Sequence, residues 1–369
     1  MHEILALFSL EKGRARMRFM ADEEYIHMLS ILTLARDPFR AEARHHLGNL
    51  DDAQFAMLSN LANSHHVVLR AFATGLSTEG TDRFGTLVSS ERKRAQTATS
   101  RLHEVCQALE ENGCPVVVIK SLEHLPDIGT DLDLLTCSSE KLVVQTMRDR
   151  FGITIETPSW SDRVARKLNF RLPGLPELVE IHFGRLGQAG ELEKLANRTL
   201  QRRVRQQVAG KSFWVPPPEE RIILVALQRL YRHFYLRICD IMTVANLVDG
   251  RMVDFDELRR ASKKAGVWPG VATLLRLASD YMKHYRGEPL TLPRRVQLAS
   301  RFGMEKVYPA AGFLRLPLFP QGAELYARQL VKMLRRRDTA GTARLGLVPP
   351  LALAANVRYR LTGDEHGIW

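Results

Sequence analysis

Val116-Val117-Val118-Ile119-Lys120-Ser121, followed after a short turn by Gly129-Thr130-Asp131-Leu132-Asp133-Leu134-Leu135, decides how this chain folds. Both runs are short, apolar and bounded by turn formers, the pattern of buried strands. Side chains alternate across a strand, so Asp131 and Asp133 point to one face while Leu132 and Leu134 take the other. Two carboxylates on one strand face can share a pair of divalent ions.

Working outward, Leu178-Val179-Glu180-Ile181-His182-Phe183 alternates in the same way, with Glu180 and His182 on one face. Residues 153–156 read as another strand, and 167–172 and 212–215 as further candidates. Residues 138–150 read as a helix between strands. Upstream, apolar residues recur at three and four from the N-terminus to about residue 95, and a helix over 90–111 ends at Asn112-Gly113. Downstream, Pro216-Pro217-Pro218 followed by Glu219 and Glu220 favours a break and a helix start. A long helix or helix pair is expected over 219–247, with further helices over 254–265, 267–285, 294–302 and 323–337. Asp127, next to Pro126, reads as a turn residue.

These elements predict an α+β fold: a small mixed β-sheet core flanked by N-terminal and C-terminal helical regions. The expected division is a helical region over 1–95, an α/β core over 96–215, a helical unit closing the cleft over 216–290, and a basic helical region with its tail over 291–369. There is no internal repeat.

The chain has 369 residues, enough for two or three units, and 45% of them are hydrophobic. Its formal charge of +12, from 53 basic against 41 acidic residues, suits acidic ligands such as nucleotides or nucleic acid. Cys106, Cys114, Cys137 and Cys239 show neither CxxC spacing nor a His-rich companion, so neither a zinc site nor a disulfide framework is expected. No signal-peptide pattern opens the chain, and its most apolar late run, 345–355, is too short to span a bilayer. A cytoplasmic protein with no membrane role is the expectation.

The chemistry these residues suit is transfer of a nucleotidyl group, in which metal ions activate an attacking oxygen and neutralise departing pyrophosphate. Asp131, Asp133 and Glu180 are the expected metal ligands and catalytic carboxylates, holding two Mg²⁺ ions. Lys120 and Ser121, where a strand opens into a turn, can grip a triphosphate. His182 can orient a carboxylate, touch a phosphate or satisfy a hydrogen bond at the strand end. His233, Arg237 and Asp240 lie at i, i+4 and i+7 of the expected long helix and would stack on one face opposite the metals, available to the nucleotide. Arg328, Lys332 and Arg335-Arg336-Arg337 form either a solvated helix face or a track for an RNA backbone, the solvated face being favoured because few aromatics accompany them.

Val-Ile-Lys-Ser at 118–121, Gly-Thr-Asp-Leu-Asp-Leu-Leu at 129–135 and Val-Glu-Ile-His at 179–182 resemble the DNA polymerase β-type nucleotidyltransferase superfamily. More closely they resemble its bacterial uncharacterised nucleotidyltransferase family, over roughly residues 20 to 290. Ser121 stands where that family often has glycine, Thr130 precedes the first aspartate where glycine is common, and Glu180 replaces the usual aspartate. The resemblance implies an NTP substrate, ATP or CTP, and a hydroxyl-bearing acceptor: a small metabolite, a protein or RNA. The alternative is a catalytically inactive nucleotide- or nucleic-acid-binding module that keeps the fold.

Overall fold

A computed structural model describes residues 22–73 and 82–351. The expectations for residues 1–21, for 74–81 and for the end of the tail lie outside them. Four helices open the described chain: α1 (Asp22–Leu34), α2 (Phe39–Leu47), α3 (Asp52–Ser64) and α4 (Val68–Phe72). Asp51 caps α3 with a reciprocal capping box to Gln54. The long helix α5 (Asp82–Glu111) then leads into the sheet. It starts ahead of the expected residue 90, so the expected boundary between residues 95 and 96 falls within one continuous helix.

Five strands form the mixed sheet: β1 (Val116–Val118), β2 (Asp131–Thr136), β3 (Thr154–Ile155), β4 (Lys167–Arg171) and β5 (Leu178–Phe183), in the order β1-β2-β5-β4-β3. The β2–β5 pair is parallel and sets Asp133 opposite Glu180; β1–β2, β5–β4 and β4–β3 are antiparallel. Two helices interrupt the strand order, α6 (Glu140–Phe151), capped by Ser139 and closed at Gly152 in the left-handed conformation, and the short α7 (Trp160–Ala165).

Period-two alternation divides the packing. Val116, Val118, Leu132, Leu134, Val179 and Ile181 are buried with α5 and α6 on one side of the sheet. Val117, Ile119 and Leu135 face the other way and join a second core, which contains Tyr25, Leu29, Phe72, Ile223, Leu230, Val244 and Leu275. The N-terminal helices and the helices that follow the sheet therefore share one core, laid against the face that carries the carboxylates. Each of these side chains, fully buried, contributes about 1.5–3 kcal/mol.

Helix α8 (Glu193–Gln201) and a separate hairpin, β6 (Val204–Val208) with β7 (Lys211–Val215), follow. The 212–215 segment thus pairs locally and does not join the main sheet. Past the prolines come α9 (Pro218–Ala226), a wide π-type turn over Leu227–His233, the short strand β8 (Tyr235–Leu236) and α10 (Ile238–Asp249). Of the long helix or helix pair expected over 219–247, the structure holds the pair, separated where Phe234 takes a positive φ of 54° and Arg237 is extended. Helices α11 (Phe255–Ala265), α12 (Trp268–Arg286) and α13 (Arg294–Ala299) complete the bundle. The region after 290, expected to be helical, also supplies strands β9 (Tyr308–Ala310) and β10 (Phe313–Arg315), β10 pairing with β8 on one side and with β9 on the other, before α14 (Ala323–Arg335) and α15 (Thr339–Gly346). Among the described residues no helix is long and apolar enough to cross a membrane.

A candidate nucleotide site on the sheet

The β1 strand ends in an unusual backbone. Lys120 has φ 73° and ψ −53°, and the Ser121 amide donates to the Ile119 carbonyl at 2.9 Å, closing a three-residue turn around the lysine. That turn swings the Lys120 ammonium onto the Asp133 carboxylate of the neighbouring strand, an ion pair in which both side chains are largely buried. The Ser121 hydroxyl accepts the Asp133 amide at 2.7 Å and is itself buried. Ser121 therefore fixes the backbone that carries the carboxylate.

Register brings the acids together. Because Asp133 pairs with Glu180 in parallel, the two carboxylates stand side by side, and His182 Nε2 lies 2.9 Å from Glu180 Oε1 and 3.7 Å from Asp133 Oδ1. Single ligand atoms from Asp133, Glu180 and His182 all fall within 4.8 Å of one another. Asp131, one step earlier on the same face, is exposed at the strand start. Although the residue is exposed as a whole, the protein atoms crowding its carboxyl, and then the nearby charges of Asp133 and Glu180, push its pKa up to about 6. At Glu180 burial works against ionisation, and the His182 hydrogen bond with the Lys167 and Lys120 charges outweighs it, holding the pKa well below the usual carboxylate range.

Lys167 is the residue that sequence reading missed. It opens β4, is 6% exposed, and places its ammonium between Glu180 and Asp162, the latter contact 2.9 Å long. Asp162 is in turn fixed by the capping box of α7, where it accepts the Ser159 amide at 3.0 Å. A lysine at a strand start reads as solvated, and only the β4–β5 register, Lys167 opposite His182, reveals its neighbours. Asp127 lies apart from the acids: its carboxylate accepts the Leu69 and Arg70 amides at 2.6 and 3.3 Å and caps α4 from afar.

His233, Arg237 and Asp240 do not stack on one helix face, since the chain turns at Phe234 between the first two. They belong to a second polar cluster. Asp240, 1% exposed, pairs with the equally buried Arg229 at 2.6 Å and accepts the Arg237 amide at 2.9 Å. The Arg237 guanidinium donates to His66 Nε2 at 2.5 Å. Burial, followed by the charges of Arg232, Arg229 and Lys120, lowers the His233 pKa to about 2. A narrow cavity is lined by Lys120, Glu123, His124, Arg221, Gln228 and Asp240. Of the basic C-terminal residues, Arg328 pairs with Glu324 on α14, while Lys332 and Arg335 line a surface cavity with Lys263 and Trp268.

Carboxylates with one buried and one half-buried lysine along a parallel strand pair form a surface suited to phosphate chemistry. Residues 54–283, well over half of the chain, match the family described as "Uncharacterised nucleotidyltransferase". The chain belongs to that family. Among solved structures, an antigenic nucleotidyltransferase-like protein from Paracoccidioides brasiliensis aligns over 47% of this chain and 94% of its own at 15% identity, with a TM-score of 0.27, too low to inform the site. No curated protein matches.

Proposed function

We propose that this protein is a Mg²⁺-dependent nucleotidyltransferase that moves an NMP from an NTP, ATP or CTP, to a hydroxyl-bearing acceptor. The observation that carries this reading is the acidic cluster: Asp133 and Glu180 face each other across the parallel strands, single ligand atoms of Asp133, Glu180 and His182 lie within 4.8 Å of one another, and Asp131, one step earlier on the same strand face, has no ion-pair partner among the described residues. Oxygen donors with surplus negative charge fit a hard divalent ion. Asp131 and Asp133, with Glu180 beside them, would hold it, and when bound it supplies charge neutralisation for the triphosphate.

The chain's own residues divide the remaining work. The acceptor oxygen attacks the α-phosphorus, the bond from that phosphorus to the bridging oxygen of the β-phosphate breaks, and pyrophosphate leaves. The acceptor's proton passes to a carboxylate of the acidic cluster directly or through water. Lys120 supports the β- and γ-phosphates from the strand end, and Ser121 keeps Asp133 in place. His182 orients Glu180. Arg237, held through its amide by Asp240, and His233 would contact the nucleotide.

The test is incubation with labelled NTPs, Mg²⁺ and a cell extract containing small metabolites, proteins and RNA, followed by identification of what gains label. Asp131→Ala and Asp133→Ala should each abolish labelling while circular dichroism stays unchanged; retained labelling overturns the assignment. A second reading, a nucleotide-binding module without turnover, draws on one observation: Lys120 and Ser121 are both already engaged by Asp133. NTP binding by calorimetry with no pyrophosphate released across all acceptors would favour it.

A further inference from the structure

Positive charge without acid partners gathers where helices α8, α11 and α14 meet. Lys194 on α8, Lys263 and Lys264 in the last turn of α11, Lys332 and Arg335 on α14 and Arg336 at its end are all exposed, and none has an ion-pair partner among the described residues. Two surface cavities, of about 680 and 540 Å³, open between these helices and have Lys332 in common, so they form one groove around α14. The carboxylates that line it are engaged elsewhere. Glu191 is buried and accepts the Ala189 amide and the Gln329 side chain, both at 2.9 Å; Asp338 caps α15 through the Gly341 amide; Glu324 pairs with Arg328 at 2.7 Å. A solvated helix face would account for the α14 residues alone, and cations in a last turn complement the helix dipole. Neither reason gathers lysines of three helices around one groove.

The groove also lies near the acids. Asn197, which lines the larger cavity, accepts from the Cys137 thiol at 3.2 Å. Cys137 directly follows β2 and stands four residues beyond Asp133, about 13 Å along the strand. Leu192, Leu195 and Ala196 hold α8 in the same core as Val117, Ile119 and Leu135, on the side of the sheet that carries the carboxylates. At the far end of the basic region, Arg344 of α15 donates to the Val164 carbonyl at 2.6 Å and so ties that region to α7, the helix of Asp162.

We propose that this groove binds the sugar-phosphate backbone of a folded RNA, whose end reaches the acidic cluster and serves as the hydroxyl-bearing acceptor. The acceptor role rests on the nucleotidyltransferase reading; the groove itself does not. RNA carries in one molecule the negative charge the groove lacks and the hydroxyl the reaction consumes. That hydroxyl oxygen attacks the α-phosphorus, its proton passes to a carboxylate of the cluster, and the RNA gains one NMP as pyrophosphate leaves. Trp268 is the one aromatic residue lining either cavity and is 7% exposed, so bases find no stacking platform and the contacts fall on the backbone.

The probe is a 5′-fluorescein-labelled RNA hairpin with a single-stranded 3′ end, followed by anisotropy from about 50 to 200 mM salt. Six cations on phosphates give the wild type a slope of log affinity on log salt of up to about −5. The variant Lys194→Ala/Lys264→Ala/Lys332→Ala should bind at least about tenfold more weakly at the upper salt, with a slope shallower by about 3 and an unchanged circular dichroism spectrum. If that variant fails to fold, Lys332→Ala alone decides, through a slope shallower by about 1. Equal affinity and slope in wild type and variant overturn the groove. Displacement of the hairpin by polyglutamate, or by phosphatidylserine vesicles, at equal charge concentration overturns the choice of RNA in favour of an acidic protein or a membrane. In cell extract with labelled NTPs and Mg²⁺, the RNA fraction should gain label, and less of it with the variant. Label on a metabolite or a protein and none on RNA overturns the proposal and leaves the nucleotidyltransferase reading standing. Groove-dependent RNA binding with no label on any acceptor overturns that reading, and the acceptor role with it.

Discussion

Replacing Lys120 by alanine and, separately, by glycine should give two variants whose stabilities differ in a direction set by the backbone alone. Both lose the ammonium and its pairing with Asp133, so that contribution cancels between them. Alanine keeps a Cβ at φ 73°, a conformation that costs a non-glycine residue about 1–3 kcal/mol. Glycine adopts it freely but gives the unfolded chain extra freedom, which costs about 0.5–1 kcal/mol relative to alanine. The difference leaves Lys120→Gly more stable than Lys120→Ala by about 1 kcal/mol, within roughly 0 to 2.5. Urea unfolding followed by tryptophan fluorescence reads it as a higher midpoint for the glycine variant at equal slope. A midpoint for Lys120→Ala equal to or above that of Lys120→Gly refutes the argument that the turn is strained in order to aim the lysine. The amide of Ser121 should stay protected from hydrogen exchange in the glycine variant, because its bond to the Ile119 carbonyl does not depend on the side chain.

Three further outcomes follow from the same geometry. Ser121→Ala leaves the buried Asp133 amide without its 2.7 Å partner and should cost about 1–3 kcal/mol in a urea melt; a hydroxyl that served only a phosphate would leave stability unchanged. Asp240→Asn strands the buried Arg229 guanidinium and should destabilise by about 3–5 kcal/mol, and a thermal melt within 1 kcal/mol of wild type would contradict the pairing. His66 is held down to about 2 by burial and then by Arg237, against an ordinary 6.5, so the unfolded chain takes up the proton first. Its contribution is complete above pH 6.5 and fades as the pH falls through that value, and at pH 5 His66→Asn should flatten the dependence of stability on pH by about one proton, ~1.4 kcal/mol per pH unit. Equal slopes for the two proteins would count against it.

How far the sequence discloses this molecule depends on the range of each interaction. Leu178–Phe183 and Asp131–Thr136 are legible to the residue because their alternation is dictated by one apolar side and one polar side. The small mixed sheet between helical regions follows from them. Lys167 was invisible because its meaning comes from a strand partner and from Asp162 in a short helix, neither marked by any periodicity. Strand β6, Val-Arg-Gln-Gln-Val, has too little apolar content to announce itself and exists by pairing with β7. The run from 219 to 247 reads as a long helix or a helix pair, and nothing in Phe234-Tyr235-Leu236 marks where it breaks. The break is imposed from outside, where β10 offers Leu236 a partner and Arg229 needs Asp240 within reach. Ser121 reads correctly as a polar group at the strand end, yet its hydroxyl turns inward to Asp133.

The parallel pairing of β2 with β5 also bears on the order of events as the chain emerges and folds. An antiparallel neighbour such as β1 can zip to β2 through a short connection, but Glu180 reaches Asp133 only after everything from Cys137 to Glu177 has crossed over and β5 has inserted between β2 and β4. Such non-local closure is intrinsically late. A nascent chain ending before Glu180 can hold Lys120, Ser121 and both aspartates and still lack the acidic centre. The acidic centre is thereby withheld until the sheet is complete.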